Sequence, residues 1–250
     1  MKKPIITNSN KLYRKAIKII PGGSQTFSKG PSQFTNNFAP KYLKKGKGCK
    51  VWDEDNNKYI DYVMGCQPLI LGYADRDVNR AVHKQLEIGS TFSLMNKLEV
   101  DVAELLVKHI PSAEMVRFGK NGGDATTIAI KIARAVTGKQ KIAFCGYHGW
   151  HDWFIASTDK SNGIPDFNKQ LVHSFEYNNI ESLENIFKNH KNEISCVIME
   201  PITVPEPKCF TKNCTNKICK ISNICKKNNF LHEVKKICKK NNALLIFDEV

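Results

Sequence analysis

The sequence predicts an α/β protein, with an N-terminal α+β segment followed by a mostly parallel sheet covered by helices. From about residue 115 onward, short apolar runs alternate with amphipathic segments of helical period, as strands joined by crossover helices do. Hydrophobic residues at 41% and charged residues at 25% of a 250-residue chain are ordinary globular values, ample for a core. No apolar run approaches the roughly 18 residues that a membrane span needs. The N-terminus, Met-Lys-Lys-Pro-Ile-Ile-Thr, lacks the apolar stretch of a signal peptide. A soluble cytoplasmic protein without a membrane partner is expected.

The elements follow in chain order. Residues 10–20 place Leu12, Tyr13, Ala16, Ile17 and Ile20 on one helical face, and Pro21-Gly22-Gly23 stops that helix. Residues 49–52 and 58–63, joined by Asp53–Asn57, read as a β-hairpin. Helices are expected at 77–87 and 97–110, the second ended by Pro111. The alternation then runs strand 115–118, helix 124–136, strand 141–145, strand 171–175, helix 180–189, strand 195–199, helix 229–238 and strand 243–247.

Net charge is +14, yet Arg supplies only five of the 38 basic residues, at positions 14, 76, 80, 117 and 134. Recognition of nucleic acid leans on Arg forks, so no nucleic-acid partner is expected. The charge is also confined: residues 1–52 hold twelve basic residues and no acid, and 208–240 hold ten Lys against Glu233. The remainder is mildly acidic, so the basic stretches read as solvated surface. Nine Cys in a chain of this length without a secretory signal are expected as reduced thiols. Four of them, Cys209, Cys214, Cys219 and Cys225, crowd one Lys/Asn-rich stretch, where thiolates are candidate ligands for zinc or an iron–sulfur cluster. They lack the Cys-x2-Cys pair of common zinc sites, and a reduced surface insert is the competing reading.

Ligands of parallel sheets bind beyond the C-terminal strand ends. Three such ends carry chemistry. At Phe118–Thr126, Asn121-Gly122-Gly123 opens a helix, so backbone N–H groups and the helix dipole favour a phosphate; a plain Gly turn before a capped helix is the alternative. At Cys145–Trp153, Tyr147, His148 and the following aromatics sit between glycines, which suits a planar ligand or an aromatic loop packed on the core. At Leu244–Val250, an apolar strand delivers Asp248 and Glu249 to its tip, where a buried carboxylate needs a cationic partner.

Together these motifs resemble the class III, fold-type I aminotransferases that depend on pyridoxal 5′-phosphate (PLP), and within them the glutamate-1-semialdehyde 2,1-aminomutase group. The resemblance covers about Lys11 to Val250: Pro21-Gly22-Gly23, Trp52-Asp53 to Tyr62, Leu71-Gly72-Tyr73, Arg117-Phe118, Asn121–Ala125, Ala133-Arg134-Ala135, Tyr147-His148-Gly149, Glu200-Pro201 and Asp248-Glu249-Val250. It implies an enzyme that moves an amino group of a small amino or keto substrate, working as a homodimer. It implies that Asn121, Gly122 and Gly123 hold the cofactor phosphate. Tyr147 would stack on the pyridine ring, Asp248 pair with its nitrogen and Val250 cover its other face. His148 and Glu200 lie near the site, and Thr26 and Lys29 stand where substrate is bound. Residues 1–72 would form part of a small domain. Residues 73–250 would form an incomplete PLP-binding large domain, with residues 203–228 as an insert.

Departures from the family pattern are informative. Gly123 replaces a hydroxyl residue, Lys29 an arginine and Cys66 a tryptophan. The Schiff-base lysine lies beyond the Asp-Glu-Val strand, so no residue here is nominated as catalytic, and the 250 residues alone are expected to be inactive. The alternative functions are a catalytically incomplete PLP-binding fragment or pseudoenzyme, and a metal-dependent basic binding protein.

Overall fold

The computed structural model describes residues 3–35, 37–203, 205–210 and 228–250. It divides into two compact units, Met1–Val102 and Ala103–Val250. The division falls within a helix, Lys97–His109, later in the chain than the 72/73 boundary expected from the sequence.

In the first unit, helix α1 (Thr7–Ala16) precedes an antiparallel sheet of β1 (Leu43–Lys47), β2 (Lys50–Asp53) and β3 (Lys58–Ile60), followed by helix α2 (Arg76–Ile88). Helix α1 begins and ends earlier than its apolar period implies. Its first turn is fixed from the β2–β3 turn, where the Asp55 carboxylate accepts from the N–H groups of Asn8 at 2.8 Å and Ser9 at 3.0 Å. Strand β1, Leu-Lys-Lys-Gly-Lys, escaped prediction because it lacks apolar alternation; it pairs with β2, and the Tyr73 ring occupies the space beside Gly46. Asp61 accepts from Tyr73 Oη at 2.5 Å and Val63 N–H at 2.8 Å. Burial raises its carboxyl pKa, but these donors outweigh it and hold it below the ordinary value.

The second unit is organised by one parallel sheet, in the order β5 (Val172–Ser174), β4 (Lys141–Cys145), β6 (Ile194–Met199), β7 (Leu244–Phe247). Helix α3 (Lys97–His109) leads into it. Side chains alternate across the strands. Ile142, Phe144, Cys196 and Ile198 face a core with Ile130 and Ala133 of α4 (Gly122–Thr137) and with Trp153 and Phe154 of the short α5 (Asp152–Ile155). Ala143, Cys145, Val197 and Met199 face the opposite core, with Leu183, Ile186 and Phe187 of α7 (Ile180–Asn189) and Phe230, Val234 and Cys238 of α8 (Phe230–Lys240). A further short helix, α6 (Asp166–Lys169), precedes β5. Every residue of β6 is buried, as a central strand covered on both faces requires.

One expected strand is absent. Residues 115–118 form no strand, and Met115 is 91% exposed. Among the described residues no strand lies beside them to complete a ladder, so apolar composition alone does not make a strand there. The sheet places the C-terminal ends of β4, β6 and β7 side by side next to the start of α4, and this corner holds the candidate site.

Candidate active site

Asn121 caps α4 from an extended backbone (φ −147°, ψ 172°), and its Oδ1 accepts from Asp124 N–H at 3.0 Å. Gly122 and Gly123 form the first turn, where N–H groups have no partner within the helix. Neither position tolerates a side chain easily. A Cβ on Gly122 would lie 2.7 Å from Val250 Cγ1, and one on Gly123 would lie 3.1 Å from the His151 ring.

Strand β4 ends in a loop that crosses over this helix start. Gly146 (φ +109°) and Gly149 (φ +108°) take left-handed conformations, each in tight quarters: a Cβ on Gly146 would meet Glu200 Oε1 at 2.8 Å, and one on Gly149 would meet Gly123 Cα at 3.2 Å. The Thr126 hydroxyl lies 3.1 Å from Gly123 O and 3.0 Å from His148 O, fastening the loop to α4. Tyr147 donates its N–H to Glu200 Oε1 at 3.3 Å. Its ring stands edge-on to Phe154, and the residue remains 65% exposed.

His148 is buried and joins β4 to the tip of β7. Its Nδ1 lies 2.8 Å from Asp248 Oδ2 and its Nε2 3.1 Å from Cys145 O. Both ring nitrogens therefore lie within hydrogen-bond distance of oxygen atoms. The ring is fixed by Trp153 stacked on it and by Phe144 and Phe154 edge-on. Asp248 Oδ1 accepts from Val250 N–H at 3.1 Å. Burial acts to raise the Asp248 pKa, but the hydrogen bonds from His148 and Val250 and the His148 charge bring it below the ordinary carboxylate value. The result is a buried carboxylate kept ionised at a strand tip. Beside it, Cys145 is a structural thiol, pushed up to about 11 by burial and by Glu200.

Of the positions singled out from the sequence, Asn121, Gly122, Gly123, Tyr147, His148, Glu200, Asp248 and Val250 converge at this one corner. Thr26 and Lys29 belong to the first unit, exposed on a short turn in which Lys29 N–H donates to Thr26 O at 3.0 Å. Cys209 is partly buried and bridges to Asn229, whereas Cys214, Cys219 and Cys225 lie outside the described residues. Among the described residues no group of three or more His, Cys, Asp or Glu could hold a metal ion, and no helix is long and apolar enough to cross a membrane. The bridging role of Thr126 and the direct His148–Asp248 contact were not anticipated. A hydroxyl three residues into a Gly-led helix is the signal for the first; the second joins residues a hundred positions apart and left none.

A parallel sheet with a Gly-led helix start, an aromatic loop and a carboxylate at adjacent strand tips is the large-domain arrangement of fold-type I PLP transferases. A family model described as Aminotransferase class-III matches residues 33–250. The glutamate-1-semialdehyde 2,1-aminomutase of Francisella philomiragia is 37% identical, covering 97% of this chain and 55% of its own. The 3-aminobutyryl-CoA aminotransferase of Cloacimonas acidaminovorans is 34% identical, covering 98% of this chain and 55% of its own. Among solved structures, an omega-transaminase from Sphaerobacter thermophilus superimposes with a TM-score of 0.79 at 28% identity, over 96% of this chain and 54% of that one. The FumI protein of Sphingopyxis sp., solved in a PLP form, gives 0.79 at 29% identity, with the same coverage of 96% and 54%. The chain belongs to the class-III aminotransferase family. It spans about 55% of the length of the curated relatives it matches.

Proposed function

We propose that the protein containing this chain transfers an amino group with PLP, as an aminotransferase or a glutamate-1-semialdehyde-type aminomutase, acting on a small amino or keto substrate. The observation that carries this reading is the His148–Asp248 pair: a buried carboxylate, 2.8 Å from its imidazole, beside a Gly-led helix start whose first-turn N–H groups have no partner within the helix. The residues fit PLP. The cradle at Gly122 and Gly123, where a Cβ would collide, suits the phosphate; the exposed Tyr147 ring and the Val250 side chain suit the two faces of the pyridine; Asp248 suits its protonated nitrogen. When bound, PLP supplies an electron sink for carbon acid chemistry.

The chain's own contribution is preorganisation. Asn121 caps the helix start that would receive the phosphate, and Thr126 and Gly149 hold the Tyr147 loop against that helix. Asp248 would pair with the pyridine nitrogen of a bound PLP and favour its protonated form, and His148 holds Asp248 in place and keeps its pKa low. Among the described residues, the hydrogen bonds that assemble the cluster involve no lysine. Thr26 and Lys29 are proposed for substrate; a lysine there offers a carboxylate a point charge rather than a fork. A cytoplasmic homodimer is the proposed form.

The test is to load the complete protein with PLP and offer amino donors, glutamate 1-semialdehyde among them. Amine exchange, with a dimer in sedimentation, is the expected result. PLP binding without exchange toward any donor would leave a cofactor-binding protein and overturn the enzymatic reading.

A further inference from the structure

The helix start that would receive the phosphate is bordered by a side chain that the family resemblance did not single out. His151 follows the Tyr147 loop and stands at the N-cap of α5, yet its side chain makes no capping hydrogen bond. Its Nε2 lies 3.7 Å from Asp124 Oδ1, too long for a hydrogen bond, so its N–H donor capacity is uncommitted. The other side chains at this corner are engaged: Asn121 Oδ1 on Asp124 N–H, and the Thr126 hydroxyl on the carbonyls of Gly123 and His148. The imidazole sits where a side chain at position 123 would go, since a Cβ there would lie 3.1 Å from His151 Cδ2 and 3.3 Å from Nε2. A side chain at 123 and the His151 ring in this pose therefore crowd one another. Asp124, in the first turn of α4, would repel a phosphate on its own, and the His151 ring stands beside it, with Nε2 3.7 Å from its Oδ1.

We infer that His151 is a phosphate-binding residue of the cofactor site, donating from Nε2 to the phosphoryl group at the start of α4, and that Gly123 provides the room for it. This deepens the PLP reading above and rests on it. The site thus replaces a hydroxyl donor from the helix with an imidazole donor from the neighbouring loop.

The experiment compares dissociation constants of PLP and of pyridoxal, which lacks the phosphate, for the complete apo-protein by fluorescence titration. His151→Ala is expected to weaken PLP about 10- to 100-fold, the effect of one hydrogen bond to a charged group, and to leave pyridoxal unchanged. His151→Gln, which keeps a donor, should retain much of the affinity. Adding Gly123→Ser to His151→Ala should restore most of the loss, because the serine then has both space and a hydroxyl. Equal PLP affinity of His151→Ala and the parent would overturn the inference, as would equal weakening of PLP and pyridoxal, which marks a structural role. A parent protein that binds PLP no better than pyridoxal would instead overturn the cofactor reading itself. Melting curves confirm that each variant is folded.

Discussion

Two buried aspartates, one in each compact unit, show how differently the same side chain can be used. Asp53 is fully buried at the end of β2. One of its oxygens accepts from the N–H groups of Asp55 at 2.9 Å and Asn57 at 2.8 Å, and the other from Asn57 Nδ2 at 2.8 Å and Tyr59 Oη at 2.9 Å. All four donors come from within six residues, and none titrates near neutrality; burial and Asp53 itself push the Tyr59 phenol up to about 12. Asp248 is nearly as buried, but each oxygen has one donor, and one of the two donors is an imidazole from another strand end. A saturated carboxylate locks a turn. An ionised carboxylate with one donor per oxygen keeps accepting capacity for a further partner.

Substituting the two residues should separate those roles. Asp53→Ala takes the acceptor from the N–H groups of Asp55 and Asn57 and from the Tyr59 hydroxyl, all part-buried, while the Asn57 side-chain amide keeps Ile5 O at 2.6 Å, and should cost about 2–4 kcal/mol of stability, read by urea unfolding. The PLP affinity of the molecules that remain folded should hold. Asp248→Asn keeps the shape and a hydrogen-bonding group, so melting should shift little. Turnover should fall about 100- to 1000-fold, as it does when a preorganised electrostatic partner is removed, with a much smaller change in PLP affinity. If Asp53→Ala were harmless, or Asp248→Asn cost as much stability as activity, the contrast between the two carboxylates would collapse.

A smaller effect sharpens the same contrast. His148→Asn removes the imidazole from Asp248 and the contact to Cys145 O. Turnover should drop by about tenfold. The acid limb of the pH profile should also move to higher pH, because the hydrogen bond and charge that hold the Asp248 pKa down are gone. An unchanged limb with reduced turnover would reduce His148 to packing.

The sequence displayed the second unit better than the first, for physical reasons. Strand β4 and helix α7 were legible to the residue, since β4 is an apolar run buried on both faces and α7 carries its stripe Leu183, Ile186 and Phe187 against the sheet. Helix α2 was equally legible as a pattern, yet it buries no residue and leaves Val78, Val82 and Leu86 exposed. Periodicity says which face wants covering and nothing of what covers it. Residues 115–118 failed for the complementary reason, because a strand is defined by its neighbour. At the site, glycines and charged strand tips announced themselves locally. The contacts of His148 with Asp248 and of His151 with Gly123 depend on how β4, β7 and α4 converge, which no local pattern encodes.

The smallest expected effect lies at the opposite edge of the same sheet, away from the strand tips. His173 of β5 stacks on His190 with ring centroids 4.0 Å apart, and its Nε2 is buried with no hydrogen-bond partner. Lys141 Nζ lies 3.1 Å from His190 Nδ1 and 2.6 Å from Glu193 Oε2, so a cation already occupies this corner. Burial first, then His190 and Lys141, push the His173 pKa below its ordinary 6.5. The unfolded chain therefore binds the proton more readily than the folded one. Stability is complete above pH 6.5 and declines as pH falls from there toward the lowered native value, with no further loss from this group below it. His173→Phe keeps a flat ring against His190 and removes both the titration and the unpartnered nitrogen. Its melting temperature should equal or exceed that of the parent at pH 7, and its decline below pH 6.5 should be shallower by a degree or a few, on the order of what ~1 kcal/mol shifts in a domain this size. Parallel curves for parent and variant across that range would show that His173 binds its proton equally well in the folded and the unfolded chain, and would remove this edge as a source of acid sensitivity.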